Sequence, residues 1–271
     1  MGSMPFGFPE FRGTTRRLVL INLIAYFLLA LANVGLSQET MGFIGSHFSF
    51  VPTLFLHGWI WQPFTYSLIH PPGALLATLF ELLSLWFLAG FLEAYRSPNW
   101  TMSLYVVSVL GTALSAAIIY DAAGRLGHPI EQMPLYGCMG GIFGLLVAIG
   151  VLYGDTEFLM FFLINIKARY LAVIYALIAV AMLFSQNRLY AFAQLGGAVA
   201  GLIFIRFAPS RGFGFVASEW MYGLRNGYYR WKRRRAGRKF EVYMRSQGRT
   251  VRLDHRGRQL DEDPDDKSRW N

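Results

Sequence analysis

Gly137-Cys138-Met139-Gly140-Gly141-Ile142-Phe143-Gly144 is the stretch on which the fold turns. Glycines at three- and four-residue spacings in an apolar helix let a second backbone approach closely, which is how helices pack where lipid removes the hydrophobic drive between them. Ala193-Gln194-Leu195-Gly196-Gly197 repeats the theme, with Gly201 four positions beyond Gly197. Outward from these motifs lie six apolar segments, at about 18–36, 74–95, 101–120, 135–153, 168–184 and 188–207. Each approaches the roughly 20 residues that a helix needs to cross hydrocarbon. Unsatisfied backbone groups are costly in lipid, so all six are expected to be helices.

Composition agrees. Of 271 residues, 54% are hydrophobic and only 15% are charged, too apolar a balance for an ordinary soluble domain, and a polytopic membrane protein follows. The single cysteine, Cys138, excludes an intrachain disulfide framework and a cysteine-based metal site. Leu18 to Leu36 is long enough to span and lacks a small-residue cleavage pattern, so it reads as a retained first span. The leading Met1-Gly2-Ser3-Met4 reads as a remnant ahead of a native Met4.

Of the net charge of +9, almost all sits at one end: residues 211–271 hold 16 of the 25 Lys+Arg and 8 of the 16 Asp+Glu. Trp231-Lys232-Arg233-Arg234-Arg235, with Arg238 and Lys239, suits anionic headgroups at about 1 kcal/mol per cation. No nucleic-acid-binding module is visible around it. One set of span flanks carries Arg12, Arg16, Arg17, Arg96, Lys167, Arg169, Arg206 and Arg211, and the other carries Arg125 and Arg188. The positive-inside rule then puts both termini in the cytoplasm and Ser37 to Gly73 outside. That external segment is aromatic, with Phe48, Phe50, Phe55, Trp59, Trp61, Phe64 and Tyr66, and is expected at the lipid interface. Phe158 to Ile166 is placed at the membrane surface. Residues Lys239 to Leu253 permit a short hairpin around Gln247-Gly248, and Asp261 to Asp266 read as disordered. The chain divides into an N-terminal cytoplasmic segment (1–13), a membrane domain (14–210) and a basic cytoplasmic tail (211–271).

Over roughly residues 14–210 the order, separation and flanks of the two glycine motifs resemble the rhomboid family of intramembrane serine proteases. There the first motif reads Gly-x-Ser-Gly-x-x-x-Gly and the second Ala-His-x-Gly-Gly. Gly137, Gly140, Gly144, Gly196 and Gly197 match, whereas Met139 stands at the nucleophile and Gln194 at the base. Trp61 to His70 is similar to the family's segment before the second span, and Lys167-Ala168-Arg169-Tyr170 to its basic turn before the fifth. The family's His-x-x-x-Asn, part of the oxyanion hole, falls on Ala77 and Glu81, ahead of Gly90-Phe91-Leu92-Glu93. The resemblance implies an all-α, six-transmembrane-helix rhomboid-like bundle with an external amphipathic loop between helices 1 and 2, in a bacterial inner membrane.

The chemistry does not follow the resemblance. A thioether at Met139 cannot become a nucleophile, Gln194 has no proton-accepting pKa, Ala77 supplies no donor, and an ionised Glu81 would oppose an oxyanion. Cys138 lies one residue from the nucleophile position; about 100° of helix should turn it away from Gln194 and leave an inert packing thiol. Glu81, ionisable within a span, either pairs inside the bundle, most simply with Gln194, or recognises a polar or helix-breaking residue of a client segment. His47, His57, His70 and His128 fall in external loops or at span ends without ligand-like spacing, so neither a metal site nor a cofactor is expected.

By resemblance to inactive rhomboids, the expected work is lateral binding of transmembrane helices of client proteins without cleavage, through an entrance formed by the external segment and the second and fifth spans. Two alternatives stand: an intramembrane endopeptidase with non-standard residues, and a small-molecule or proton pathway using Glu81.

Overall fold

A computed structural model describes residues 9–160, 164–184 and 187–207, with scattered positions between 226 and 246. Two compact units separate at Gly214 and Phe215. In the first, all six apolar segments contain a helix: α1 (Gly13–Gly35), α5 (Leu75–Tyr95), α6 (Pro98–Arg125), α7 (Met139–Leu152), α8 (Ala168–Met182) and α9 (Arg188–Phe207). Between α1 and α5 lie the short helices α2 (Gln38–Phe48), α3 (Pro52–Leu56) and α4 (Gln62–Thr65), then a 3-10 turn over Tyr66–Leu68. Among the described residues the chain is an all-α membrane protein apart from one antiparallel strand pair, β1 (Glu157–Met160) with β2 (Ile164–Lys167), which pairs Glu157 with Lys167 and Met160 with Ile164.

Among the described residues, α1, α5, α6 and α9 are long and apolar enough to cross a membrane. The other two are shorter than the sequence implies. At 1.5 Å per residue, the 14 residues of α7 reach about 21 Å, against a hydrocarbon thickness of about 30 Å. Nine of them are buried, so protein rather than lipid surrounds this helix, and non-helical backbone ahead of it is tolerated at depth. Leu135 and Tyr136, expected inside the span, precede it: Leu135 exchanges backbone hydrogen bonds with Phe50, at 3.0 and 2.8 Å.

Small residues build the centre. A Cβ on Gly140 would strike Thr112 of α6, and one on Gly144 would strike Ser108. From α9, a Cβ on Gly201 would come within 3.0 Å of the Gly144 Cα, and one on Gly197 within 2.8 Å of the Gly140 carbonyl oxygen. Three backbones therefore meet where the two glycine motifs cross, with Leu145 and Ile149 buried beside them. The outer face of α1 is the opposite: Ile24, Phe27, Leu28 and Leu31 are exposed, as lipid-facing residues should be.

Helix starts are fixed by side chains. Ser97 accepts the Trp100 N–H at 3.2 Å ahead of Pro98 at the start of α6. Glu93, near the end of α5, caps α1 from outside: it accepts from Thr14 N (3.2 Å), Thr15 N (2.9 Å) and Thr15 Oγ1 (2.8 Å). A carboxylate at a helix N-terminus satisfies orphan donors and favours the helix dipole.

The segment between α1 and α5 is less peripheral than its aromatic composition implies. His47, Trp59 and Trp61 do cluster, with ring centroids 4.9–5.4 Å apart. Phe50 and Tyr66, however, are core residues, and the Tyr66 hydroxyl donates to the Val109 carbonyl at 2.8 Å. Gln62 is fully buried: Oε1 accepts from Val51 N at 3.1 Å and Nε2 donates to the Ser46 carbonyl at 3.0 Å. Gln62→Ala strands both backbone groups and is expected to cost about 2–3 kcal/mol, read as a lowered Tm in detergent; an unchanged Tm would mean that water replaces the amide.

The stretch expected at the membrane surface forms the strand pair, with Phe158 edge-on to Phe87 and Phe91 of α5. Asp155 pairs with Arg169 at 3.0 Å across its base. In the second unit, Arg235 lies over Trp231 at 5.3 Å. The hairpin expected around Gln247-Gly248, the acidic run Asp261 to Asp266 and the leading Met1 to Met4 lie outside the described residues.

Candidate functional site

The 3-10 turn after α4, the middle of α5 and the start of α7 bring three chemistry-bearing side chains together: His70, Glu81 and Cys138. Gly137 makes the approach possible. Its φ of +82° turns the chain into α7, and a Cβ there would lie 2.8 Å from Glu81 Oε1. Its N–H is held by the carbonyls of Ile69 (2.8 Å) and Tyr66 (3.1 Å), which ties this turn to the one carrying His70.

Cys138 is the N-cap residue of α7 with φ −93° and ψ 9°, outside the helix proper, and is fully buried. The helical step expected to turn the thiol away from Gln194 is absent, because the chain is not yet helical there, and the thiol lies beside the Glu81 carboxylate. That carboxylate also lies beside the backbone N–H groups of Cys138 and Met139, where a helix N-terminus favours negative charge. Glu81 Oε2 is 3.5 Å from His70 Nε2. Glu81 thus finds His70 and Cys138, not the Gln194 that a simple pairing within the bundle predicted.

His70, expected at an interface, is 1% exposed. Its Nδ1 lies 3.3 Å from the Leu68 carbonyl, which can only accept, so Nδ1 carries the proton. Burial pushes the imidazole below the usual histidine range, with that carbonyl pulling weakly the other way. With the ring proton on Nδ1, Nε2 is the nitrogen that faces a Glu81 carboxylate oxygen. Neither His70 Nε2 nor Glu81 Oε1 has a hydrogen-bond partner.

Of the remaining expected positions, Met139 reaches this cluster through its backbone N–H, beside Glu81, and Gln194 and Ala77 make no described contact with it. Met139 is half-buried against the core, Gln194 is buried beside the Tyr190 hydroxyl one turn earlier on α9, and Ala77 is exposed. The glycines Gly137, Gly140, Gly144, Gly196 and Gly197 all serve close approach; a Cβ on Gly196 would strike Ser115. His70 was missed because its partners are 11 and 68 positions away in sequence, a spacing that carries no periodic signal.

Beside the cluster lies a largely apolar groove of about 570 Å³ between α1 and the segment after it. Leu29, Met41, Val51, Leu54 and Pro134 form its walls, and His70 lies at its edge. Of the entrance expected from the external segment and the second and fifth spans, the external segment lines this groove, whereas no residue of α5 or α8 does.

A family model described as "Eukaryotic integral membrane protein (DUF1751)" matches residues 16–212, nearly the whole first unit. No rhomboid model matches, and this overturns the resemblance read from the motifs. Glycines at close crossings recur wherever membrane helices touch, so their agreement in spacing does not by itself assign a family. The bacterial inner membrane is corrected with it, since the matching family is eukaryotic. No curated protein matches the chain.

Proposed function

We propose that this chain, which belongs to the eukaryotic integral membrane protein family matched over residues 16–212, binds transmembrane segments of client proteins without cleaving them. The observation that carries this reading is the groove of about 570 Å³. It is apolar, open, and bounded on one side by a spanning helix and on the other by a segment that does not span, a shape suited to an apolar client helix entering from lipid.

In this reading all six apolar helices complete the bundle, with α7 and α8 crossing together with the non-helical chain ahead of them. The Lys/Arg bias of the flanks puts both termini in the cytoplasm and the segment from α2 to α4 on the opposite side. The basic tail rests on anionic headgroups.

The test is photocrosslinking in liposomes. A photoreactive residue at Met41 or Leu54 in the groove should capture a labelled transmembrane peptide intact, and one at Leu202 on α9 should not. Equal capture at all three positions would remove the groove from the reading. Peptide fragments that disappear in Cys138→Ala or Glu81→Gln would overturn it in favour of an endopeptidase.

A further inference from the structure

The cluster beside the groove has donor chemistry that client binding does not use. The imidazole nitrogen of His70, a carboxylate oxygen of Glu81 and the Cys138 sulfur all lie within 4.8 Å of one another. The His70–Glu81 edge is 3.5 Å. In a tetrahedral zinc site with bonds of about 2.0–2.3 Å, ligand atoms sit about 3.3–3.8 Å apart, so one edge already has the required length and the sulfur must close by about 1.5 Å at most.

Electrostatics point the same way. The edge between His70 Nε2 and Glu81 Oε2 calls for a proton or a cation between the two atoms, and a cation there also lies within reach of the Cys138 sulfur. Both Nε2 and Glu81 Oε1 are buried without partners, an arrangement that costs free energy unless something occupies the space they face. A divalent ion bound by one thiolate, one carboxylate and one neutral imidazole has no net charge. That makes it far less costly to bury than a lone carboxylate at the same depth.

Against the expectation that a single cysteine excludes a cysteine-based metal site, we propose that His70, Glu81 and Cys138, brought together by the fold, bind one zinc ion, through Nε2, a carboxylate oxygen and the thiolate. Binding displaces the thiol proton. The mixed nitrogen, oxygen and sulfur set favours zinc over magnesium or calcium, which prefer oxygen alone. The Leu68 carbonyl orients the imidazole through Nδ1–H, as an outer partner of a zinc-bound histidine does. Three protein ligands leave a fourth position, and His70 also borders the groove, which gives ion and water a route. The ion ties the turn after α4 to α5 and to the start of α7, so its loss loosens the seam that holds Gly137.

The experiment uses the full chain in detergent, stripped with a chelator and titrated with Co²⁺. The expected result is a thiolate-to-cobalt charge-transfer band at one ion per chain with tetrahedral visible absorption, displaced by one equivalent of Zn²⁺. Cys138→Ser should remove the charge-transfer band. His70→Ala and Glu81→Gln should each weaken Zn²⁺ binding at least about tenfold, since even outer partners of zinc ligands carry that much. Circular dichroism of the chelated forms shows whether each variant is folded. Absence of the band from folded parent protein overturns the proposal. So does a band that survives Cys138→Ser, or zinc affinity unchanged in both His70→Ala and Glu81→Gln, which would put the ion elsewhere.

Discussion

Gly197→Leu is expected to destroy the native bundle. A side chain at this position on α9 would enter space held by Thr112 Oγ1, by the Gly140 carbonyl oxygen at 2.8 Å and by the Ser108 carbonyl oxygen at 3.1 Å from its Cβ. Two of these are backbone atoms of α6 and α7, which have no rotamer to change. The helices must separate, and all three central crossings open together. Overpacking of this kind costs about 3 kcal/mol or more, a large share of a typical domain's stability. Thermal unfolding in detergent, followed by size-exclusion chromatography, should show an aggregated or strongly destabilised variant. Gly124→Ala near the end of α6 is the control, because a Cβ there meets nothing within 4 Å and should shift stability by no more than about 1 kcal/mol. If Gly197→Leu melted with the control, α9 would not cross α7 at this distance.

Glu93→Ala should release the start of α1. Thr15 is fully buried, and its N–H and hydroxyl both donate to Glu93, so removing the carboxylate strands two buried donors besides exposing Thr14 N. Hydrogen bonds to a charged acceptor are worth about 1.5–3 kcal/mol each, and part of the loss is recovered by fraying. A net cost of about 3 kcal/mol follows, with Glu93→Gln losing about half as much because one acceptor oxygen survives. Hydrogen exchange localises the effect: amides over the first turn of α1 should lose protection in Glu93→Ala while those of α7 keep theirs. Uniform loss of protection across both helices would make Glu93 a general core residue and not the cap of α1.

α5 thus places one carboxylate at the start of α1 and another at the start of α7. Glu81 and Glu93 are 12 residues apart, about 18 Å along the helix. The sequence reads as a span with an ionisable Glu81 inside it and Glu93 near its end. The tertiary structure turns both into fixed points for other helices, and gives Glu81 the added company of His70 and Cys138.

The amino-acid sequence by itself determined the membrane class, the six apolar helices to within a few residues, and the glycine crossings. These depend on composition and on spacings of three and four positions, which one helix displays along its own length. It misassigned the family, because close-packing glycines look alike in unrelated bundles. Only the tertiary structure decided that α7 begins after Cys138, that Gln62 and Tyr66 belong to the core, and that His70 meets Glu81. Those outcomes depend on a positive φ at Gly137 and on contacts between residues far apart in sequence, and no periodic pattern records which distant groups a turn will bring within 3.5 Å.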